Sequence, residues 1–428
     1  MKRLAAIALI FTALSSGAQA ATGGGAPLAL DDALALARKN NHSLVLERAR
    51  LSEAQTTVDQ AWSALFPTVA GQARFTRNYK AVDIDFGGAT LLLQPLDQWD
   101  LGLSATAPVI VPSAYTTLTA LKTGLRASEA RFDTSEAELL MGVADASFLV
   151  AAAADEILLA RRSSVGLLEE ALQVAQKREA VGAVTTFDVD RAQLALIQAR
   201  QQVFEASNER EKAYRALGTL MGVEGPFTIQ PQFPQQSMAG ANDLGQALHL
   251  RPEYRAASET VRAAEAKRRA RAWEWAPSLS AFGNVRRFNY DNFALDNHSW
   301  AVGGQLDWVF FDGGARDARR HAAAAQAVQA QAQLALLRDG IRDELANSAG
   351  TLRTKQQGLR AAEQSVALAR RALDQARVLY QTGVGTQLDL LQAEDASVTS
   401  LVGLAQAHFD VAAADLALRH AAGTFPPK

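Results

Sequence analysis

Two threonine–aspartate pairs, Thr185-x-x-Asp188 and Thr386-x-x-Asp389, are the residues whose type and spacing most clearly do chemistry in this chain. A threonine ahead of a helix accepts a backbone N–H three residues on. The carboxylate reaches back to the threonine's own N–H, so each pair satisfies two otherwise orphaned donors as a capping box. Other chemistries lack their parts. The six histidines, at 42, 249, 298, 321, 408 and 420, include no pair at metal-ligand spacing on a helix. With no cysteine, disulfides, thiol catalysis and thiolate metal sites are absent. Gly23-Gly24-Gly25 follows no strand and reads as flexible chain rather than a phosphate loop. The expectation is neither an enzyme nor a cofactor or metal protein.

The elements that hold the two pairs repeat with them. The first lies in Gly182-Ala183-Val184-Thr185-Thr186-Phe187-Asp188, followed by Ala192; the second lies in Gly383-Val384-Gly385-Thr386-Gln387-Leu388-Asp389, followed by Ala393. Gly, Thr, Asp and Ala recur at a constant offset of 201 residues, which reads as a duplicated unit. Glycine ends each preceding helix, because it accepts the left-handed conformation of a C-cap.

Proline, which costs about 3 kcal/mol inside a helix, is missing from 113–225 and 278–425. Apolar residues there fall at three- and four-residue steps, as in Leu118, Leu121, Leu125 and later Leu139, Val143. The spacing predicts a coiled-coil-like helix from Ser113 to Val181, roughly 100 Å long at 1.5 Å per residue. A return helix of half that length covers Val189–Met221. The second copy repeats the pattern over Ala315–Gln381 and Leu388–Ala422. Each copy opens with a half-length helix, Leu30–Ser63 and Leu244–Trp275, aligned through Leu30-x-x-Ala33-Leu34 and Leu244-x-x-Ala247-Leu248.

Between opening helix and long helix the period changes to two. Val69, Gly71, Ala73 and Phe75 alternate with Ala70, Gln72, Arg74 and Thr76, and Trp99, Leu101, Leu103 and Ala105 alternate with Asp100, Gly102, Ser104 and Thr106. Leu279, Ala281, Gly283, Val285 and Trp300, Val302, Gly304, Leu306 do the same in the second copy. Four strands of about ten residues, apolar on one face, match barrel strands in a membrane. Four cannot close a barrel, whereas three chains give twelve. Tyr79, Trp99, Phe288, Tyr290, Phe293 and Trp300 collect near strand ends, where an interfacial girdle would sit, and Gln72, Arg74, Asp100, Asn284, Arg286 and Asp307 would face an aqueous lumen. The longer first inter-strand loop, with Phe86-Gly87-Gly88, is expected outside the cell.

Met1-Lys2-Arg3, the apolar run Leu4–Leu14 and Ala18-Gln19-Ala20 read as a secretory signal peptide over 1–20. No cysteine follows it, so no lipid anchor is expected. Removing Lys2 and Arg3 takes the formal charge from −2 to −4, too mild an imbalance to suggest a nucleic-acid partner. No later apolar run of eighteen residues exists, so no transmembrane helix is expected. The organisation is then a first repeat over 21–225, a linker over 226–241, a second repeat over 242–424 and a tail over 425–428.

In this order of elements, in the turn Thr382–Ala393 and in Val309-Phe310-Phe311-Asp312-Gly313-Gly314 ahead of the second long helix, the mature chain resembles the TolC-like outer membrane efflux proteins. Pro108-Val109-Ile110-Val111-Pro112 is a poorer copy of that second passage. The resemblance implies an α+β membrane protein: a homotrimer with a trimeric α-barrel of coiled-coil-like helices in the periplasm and a 12-stranded β-barrel in outer membrane lipid. It would be the exit duct of a tripartite efflux or type I secretion system, passively conducting what an inner membrane transporter and a periplasmic adaptor deliver. It also implies a gate, in which Asp389 would line the narrowest ring and attract cations. The second acidic ring of such channels falls on Gln392, and Asp188 lies in the equivalent turn of the first half, outside the constriction. Val181, Gly182, Ala183 and Thr382, Gly383, Val384, Gly385 would dock the adaptor; their alternative reading is simple tight turns. Asp190 and Glu394 read as solvated charges. The alternative class, a periplasmic coiled-coil adaptor or structural protein, should show one helical hairpin between separate β-domains rather than two hairpins and embedded strands.

Overall fold

The computed structural model of the chain describes residues 27–86, 89–230, 243–290 and 296–425. The expected signal peptide over 1–20, Gly23–Gly25, Gly87, Gly88, Phe293 and most of the expected linker lie outside them. The described residues form two compact units, one drawn from residues 1–42, 142–235 and 354–413, the other from 43–141, 236–353 and 414–428. Each unit draws on both sequence copies, because the long helices contribute to both.

The opening half-helices are each broken once. Helices α1 (Leu30–Asn40) and α2 (His42–Ser63) are separated by Asn41, and α6 (Leu244–Leu250) and α7 (Pro252–Ala272) by Arg251, both residues extended with ψ of 126° and 122°. In the second copy Pro252 disfavours helix at the residue before it and is itself well placed at the first helical position. Each break is anchored on the end of its return helix. Asn41 Nδ2 donates to the Leu220 carbonyl (2.8 Å) and Arg251 Nη1 to that of Ala421 (3.4 Å), the two acceptors again lying 201 residues apart.

The first long helix starts at Pro112 and contains a single π-helical turn, Ala144–Leu149, between α3 (Pro112–Val143) and α4 (Val150–Ala180). Periodicity did not foretell it. The turn packs against α1 and α5 (Thr186–Met221), and Val143, Ala144, Phe148 and Leu149 around it are almost wholly buried. A π turn admits one extra residue and re-phases the apolar stripe. In the second copy α8 (Ala315–Thr382) runs unbroken for 68 residues and α9 (Gln387–Ala421) returns for 35. The sequence expectation of no membrane-length apolar helix needs qualifying: windows in Pro112–Ala180 and Gln387–Ala421 reach mean hydropathies of 1.6 and 1.3. Both helices are alanine-rich, and most of the first window is buried inside the protein.

The described strands number six rather than four. β1 (Thr68–Arg77), β4 (Asp97–Ile110), β5 (Ser278–Phe288) and β6 (His298–Asp307) form one antiparallel sheet in the order β1-β4-β5-β6; β2 (Val82–Phe86) and β3 (Ala89–Gln94) form a separate hairpin within the longer first loop. The register aligns the apolar residues of all four sheet strands, for example Gly71 with Leu103, Leu103 with Val285 and Val285 with Trp300. Gln72, Arg74, Asp100, Asn284, Arg286 and Asp307 share the opposite face. The apolar face is bare: Phe75 is 69 % exposed, Leu103 56 %, Trp300 72 % and Val302 77 %.

Candidate gate, docking turns and membrane face

Both glycine turns adopt one geometry. At the end of α4, Gly182 has φ +70°, its N–H donates to the Glu179 carbonyl (2.8 Å) and the Ala183 N–H to that of Arg178 (2.8 Å). At the end of α8, Gly383 has φ +83°, donating to Tyr380 (3.1 Å), and Val384 donates to Leu379 (3.0 Å). This is a Schellman closure in each copy, and the positive φ explains the two glycines. The capping boxes are formed too. Asp188 Oδ2 accepts from the Thr185 N–H (3.1 Å) and hydroxyl (2.9 Å); Asp389 Oδ2 accepts from the Thr386 N–H (3.0 Å) and hydroxyl (2.6 Å). The hydroxyl and N–H of Thr386 hold the Asp389 carboxyl below its ordinary range.

Asp389 and Gln392 are both exposed and lie three residues apart on one face of α9, while Asp188 is half-buried. Val181, Gly182, Ala183, Thr382, Gly383 and Val384 are exposed and Gly385 is half-buried. Each return helix also begins with an exposed apolar residue, Phe187 in α5 and Leu388 in α9.

Sequence reasoning missed the contacts that join the two hairpins. Arg178 in α4 donates from Nη1 to the Tyr380 carbonyl of α8 (2.6 Å), and its guanidinium lies 4.7 Å from the centroid of the Tyr380 ring. Tyr380 is 2 % exposed and packs with Ala171, Leu373, Ala376 and Leu390. Glu394, read as solvated, is 3 % exposed, a correction to the sequence reading; Asp190 is exposed as expected. Tertiary packing overrode the local pattern, since Glu394 sits on the face of α9 that meets α4 and α8. One signal was available: at the 201-residue offset Arg178, Tyr380 and Glu394 correspond to Leu379, Glu179 and Gln193, so the copies diverge there.

The sheet carries aromatics at both ends. Tyr79, Trp99 and Trp300 are exposed as expected, but Phe288 is buried and stacks on Tyr290 at 4.5 Å, and the Tyr290 hydroxyl donates to Asp100 Oδ1 (2.9 Å). These two belong to the polar face, because Phe288 pairs with Asp100 in the register. A second row, unread in the sequence, stands at the helix-proximal end: Phe66, Trp273, Trp275, Trp308, Phe310 and Phe311, all exposed. Behind it the passage Val309–Gly314 is clamped. Asp312 Oδ2 accepts from the Arg316 N–H (2.9 Å), Arg316 lies 4.2 Å from the centroid of the Trp275 ring, and Glu274 pairs with Arg271 and with Arg319 (3.1 Å). Among the described residues no group of His, Asp and Glu is arranged to hold a metal.

The family described as "Outer membrane efflux protein" matches the chain over residues 33–223 and 244–424. The chain belongs to the outer membrane efflux protein family. It is 24 % identical over 409 residues to the outer membrane efflux protein BepC of Brucella suis, covering 92 % of this chain and 85 % of that one. It is 27 % identical over 257 residues to the outer membrane protein OprJ of Pseudomonas aeruginosa, covering 56 % of this chain and only about half (51 %) of that relative. In fold it is similar to the outer membrane protein VceC of Vibrio cholerae, with a TM-score of 0.77 at 22 % identity over 92 % of this chain and 96 % of that one. An outer membrane efflux protein is a transport protein, and its place is the outer membrane.

Proposed function

We propose that this outer membrane efflux protein is the exit duct of a tripartite efflux or type I secretion system, assembled as a homotrimer. The observation that carries the reading is the open four-stranded sheet. Its apolar face is exposed and, among the described residues, the outer edges of β1 and β6 are unpaired. In lipid, where no water satisfies an edge, such a sheet must close. Pairing β6 of one chain with β1 of the next makes twelve strands, with the apolar face toward lipid and Arg74, Asn284 and Arg286 toward the lumen. The two aromatic rows then mark the two membrane interfaces.

The hairpins α4–α5 and α8–α9 form the periplasmic tunnel, and their turns its inner mouth. Three copies of Asp389 around the axis make a negative constriction that favours cations. With Gln392 one turn on, the gate has a single acidic ring. The exposed Val181, Val384, Phe187 and Leu388 near the turns give a periplasmic adaptor an apolar footing, and an inner membrane transporter supplies the energy. The domain division follows: residues 1–20 are removed on export, and 21–225 and 242–424 contribute one hairpin and two barrel strands each.

Chemical cross-linking and mass analysis of the mature protein in detergent, followed by planar-bilayer recording, test the reading. A trimer that conducts supports it. A monomer that remains soluble without detergent would overturn it.

A further inference from the structure

Beside the paired turns, α4, α8 and α9 surround a cavity of about 30 Å³, room for one water. Leu167, Ala171, Val174 and Leu390 give it apolar walls. The charged and titratable groups facing it are Glu170 from α4, Arg377 and Tyr380 from α8, and Glu394 from α9; α5 contributes none to the lining. Glu394 is 3 % exposed and its Oε2 has no hydrogen-bond partner; the buried hydroxyl of Tyr380 has none either. Glu394 is therefore the buried carboxyl of this cavity, whose lining also includes the half-buried Arg377 and the exposed Glu170. Ionised, Glu394 is a buried charge with incomplete compensation; protonated, it is a neutral donor suited to a single bridging water.

We propose that Glu394 is a proton-binding latch on the seam between the first hairpin, through α4, and the second, through α8 and α9. With the proton bound the seam packs closed around one water. When the proton leaves to solvent, the carboxylate favours a wetter, parted seam in which it is hydrated. That parting would widen the inner mouth of the tunnel, a consequence that rests on the exit-duct reading.

Burial pushes the Glu394 carboxyl up to about 7; Arg377 opposes the rise and Glu170 adds to it. A carboxyl raised in the packed state stabilises that state fully below its ordinary value, and the stabilisation is lost as pH rises through about 7. Relative to a parted seam with an ordinary carboxyl, the closed-to-parted ratio falls by up to about 100-fold between pH 5 and 8.5.

The test compares the full mature protein with its Glu394→Gln variant, isosteric and permanently neutral, by thermal unfolding in detergent and by bilayer conductance from pH 5 to 8.5. The variant is expected to melt with the parent at pH 5 and above it at pH 8.5, and its open probability to stay flat while the parent's rises. A Glu394→Ala variant, which leaves a hole, should melt lower than Glu394→Gln at both pH values without restoring the pH dependence, which separates packing from titration. Superimposable pH profiles for parent and Glu394→Gln would overturn the latch. If no protein conducts at all, the exit-duct reading fails, while the melting comparison still decides the latch.

Discussion

Adjacent residues of β6 offer a matched test of which face meets lipid. Val302 stands mid-strand on the apolar face, 77 % exposed and opposite Gly283, while Ala301 pairs with Asn284 on the polar face. Arginine at either position sits at nearly the same depth, because one residue advances only about 3.4 Å along a strand. In lipid, Val302→Arg should cost about 2–4 kcal/mol, the range for a cation near the bilayer midplane. Ala301→Arg should cost roughly nothing, since the side chain enters an aqueous lumen. Leu306, on the same face as Val302 but four residues nearer the helices, lies about 10 Å shallower at a tilt near 40°. Leu306→Arg should therefore cost only about 0–1 kcal/mol. Urea titration of folding into phospholipid vesicles measures all three. Equal costs for Val302→Arg and Ala301→Arg, or a larger cost for Leu306→Arg than for Val302→Arg, would refute the assignment of the faces.

Three other expectations follow from the hairpins and the helix-proximal end of the sheet. Asp389→Asn and Asp188→Asn remove capping boxes of nearly identical geometry, so both should lower the melting temperature to a similar degree, but only Asp389→Asn should reduce cation preference in bilayer recordings. Because Thr386 holds the Asp389 carboxyl low, parent selectivity and the cap should persist above the ordinary aspartate value and fade only as pH falls below it. At Glu274 burial raises the carboxyl but hydrogen bonds from Arg271 and Arg319 outweigh it, leaving it low. Its contribution is thus present above the ordinary glutamate range and lost on acidification, and Glu274→Gln should flatten the acid limb of a thermal-melt series. Phe148→Ala, at a fully buried position in the π turn, should cost about 3–5 kcal/mol in denaturant titrations.

Much of the architecture was legible because it rests on short-range rules. The glycine C-caps and the Thr–Asp boxes are local, and the structure forms them as the sequence implied. Proline-free stretches located the long helices, and period-two alternation located the four sheet strands and put their apolar residues on one face. The β2–β3 hairpin was hidden because Val82–Phe86 and Ala89–Gln94 occupy a stretch that reads as a loop. The helix break at Asn41 was also illegible, since no proline marks it and the carbonyl that its side chain meets lies 179 residues away.

The sequence by itself determined the turn chemistry and the amphipathic strands, both set by neighbours within about one helical turn or one strand. Tertiary structure decided which faces meet. It sealed Glu394 and Tyr380 between hairpins, where periodicity alone could not distinguish a seam from a solvated face. It carried Phe288 and Tyr290 to the polar side of the sheet through register, and assembled a second aromatic row from Phe66, Trp275 and Phe310, residues far apart in the chain. Burial and long-range pairing depend on which segments come together, and that information is written in no single stretch of sequence.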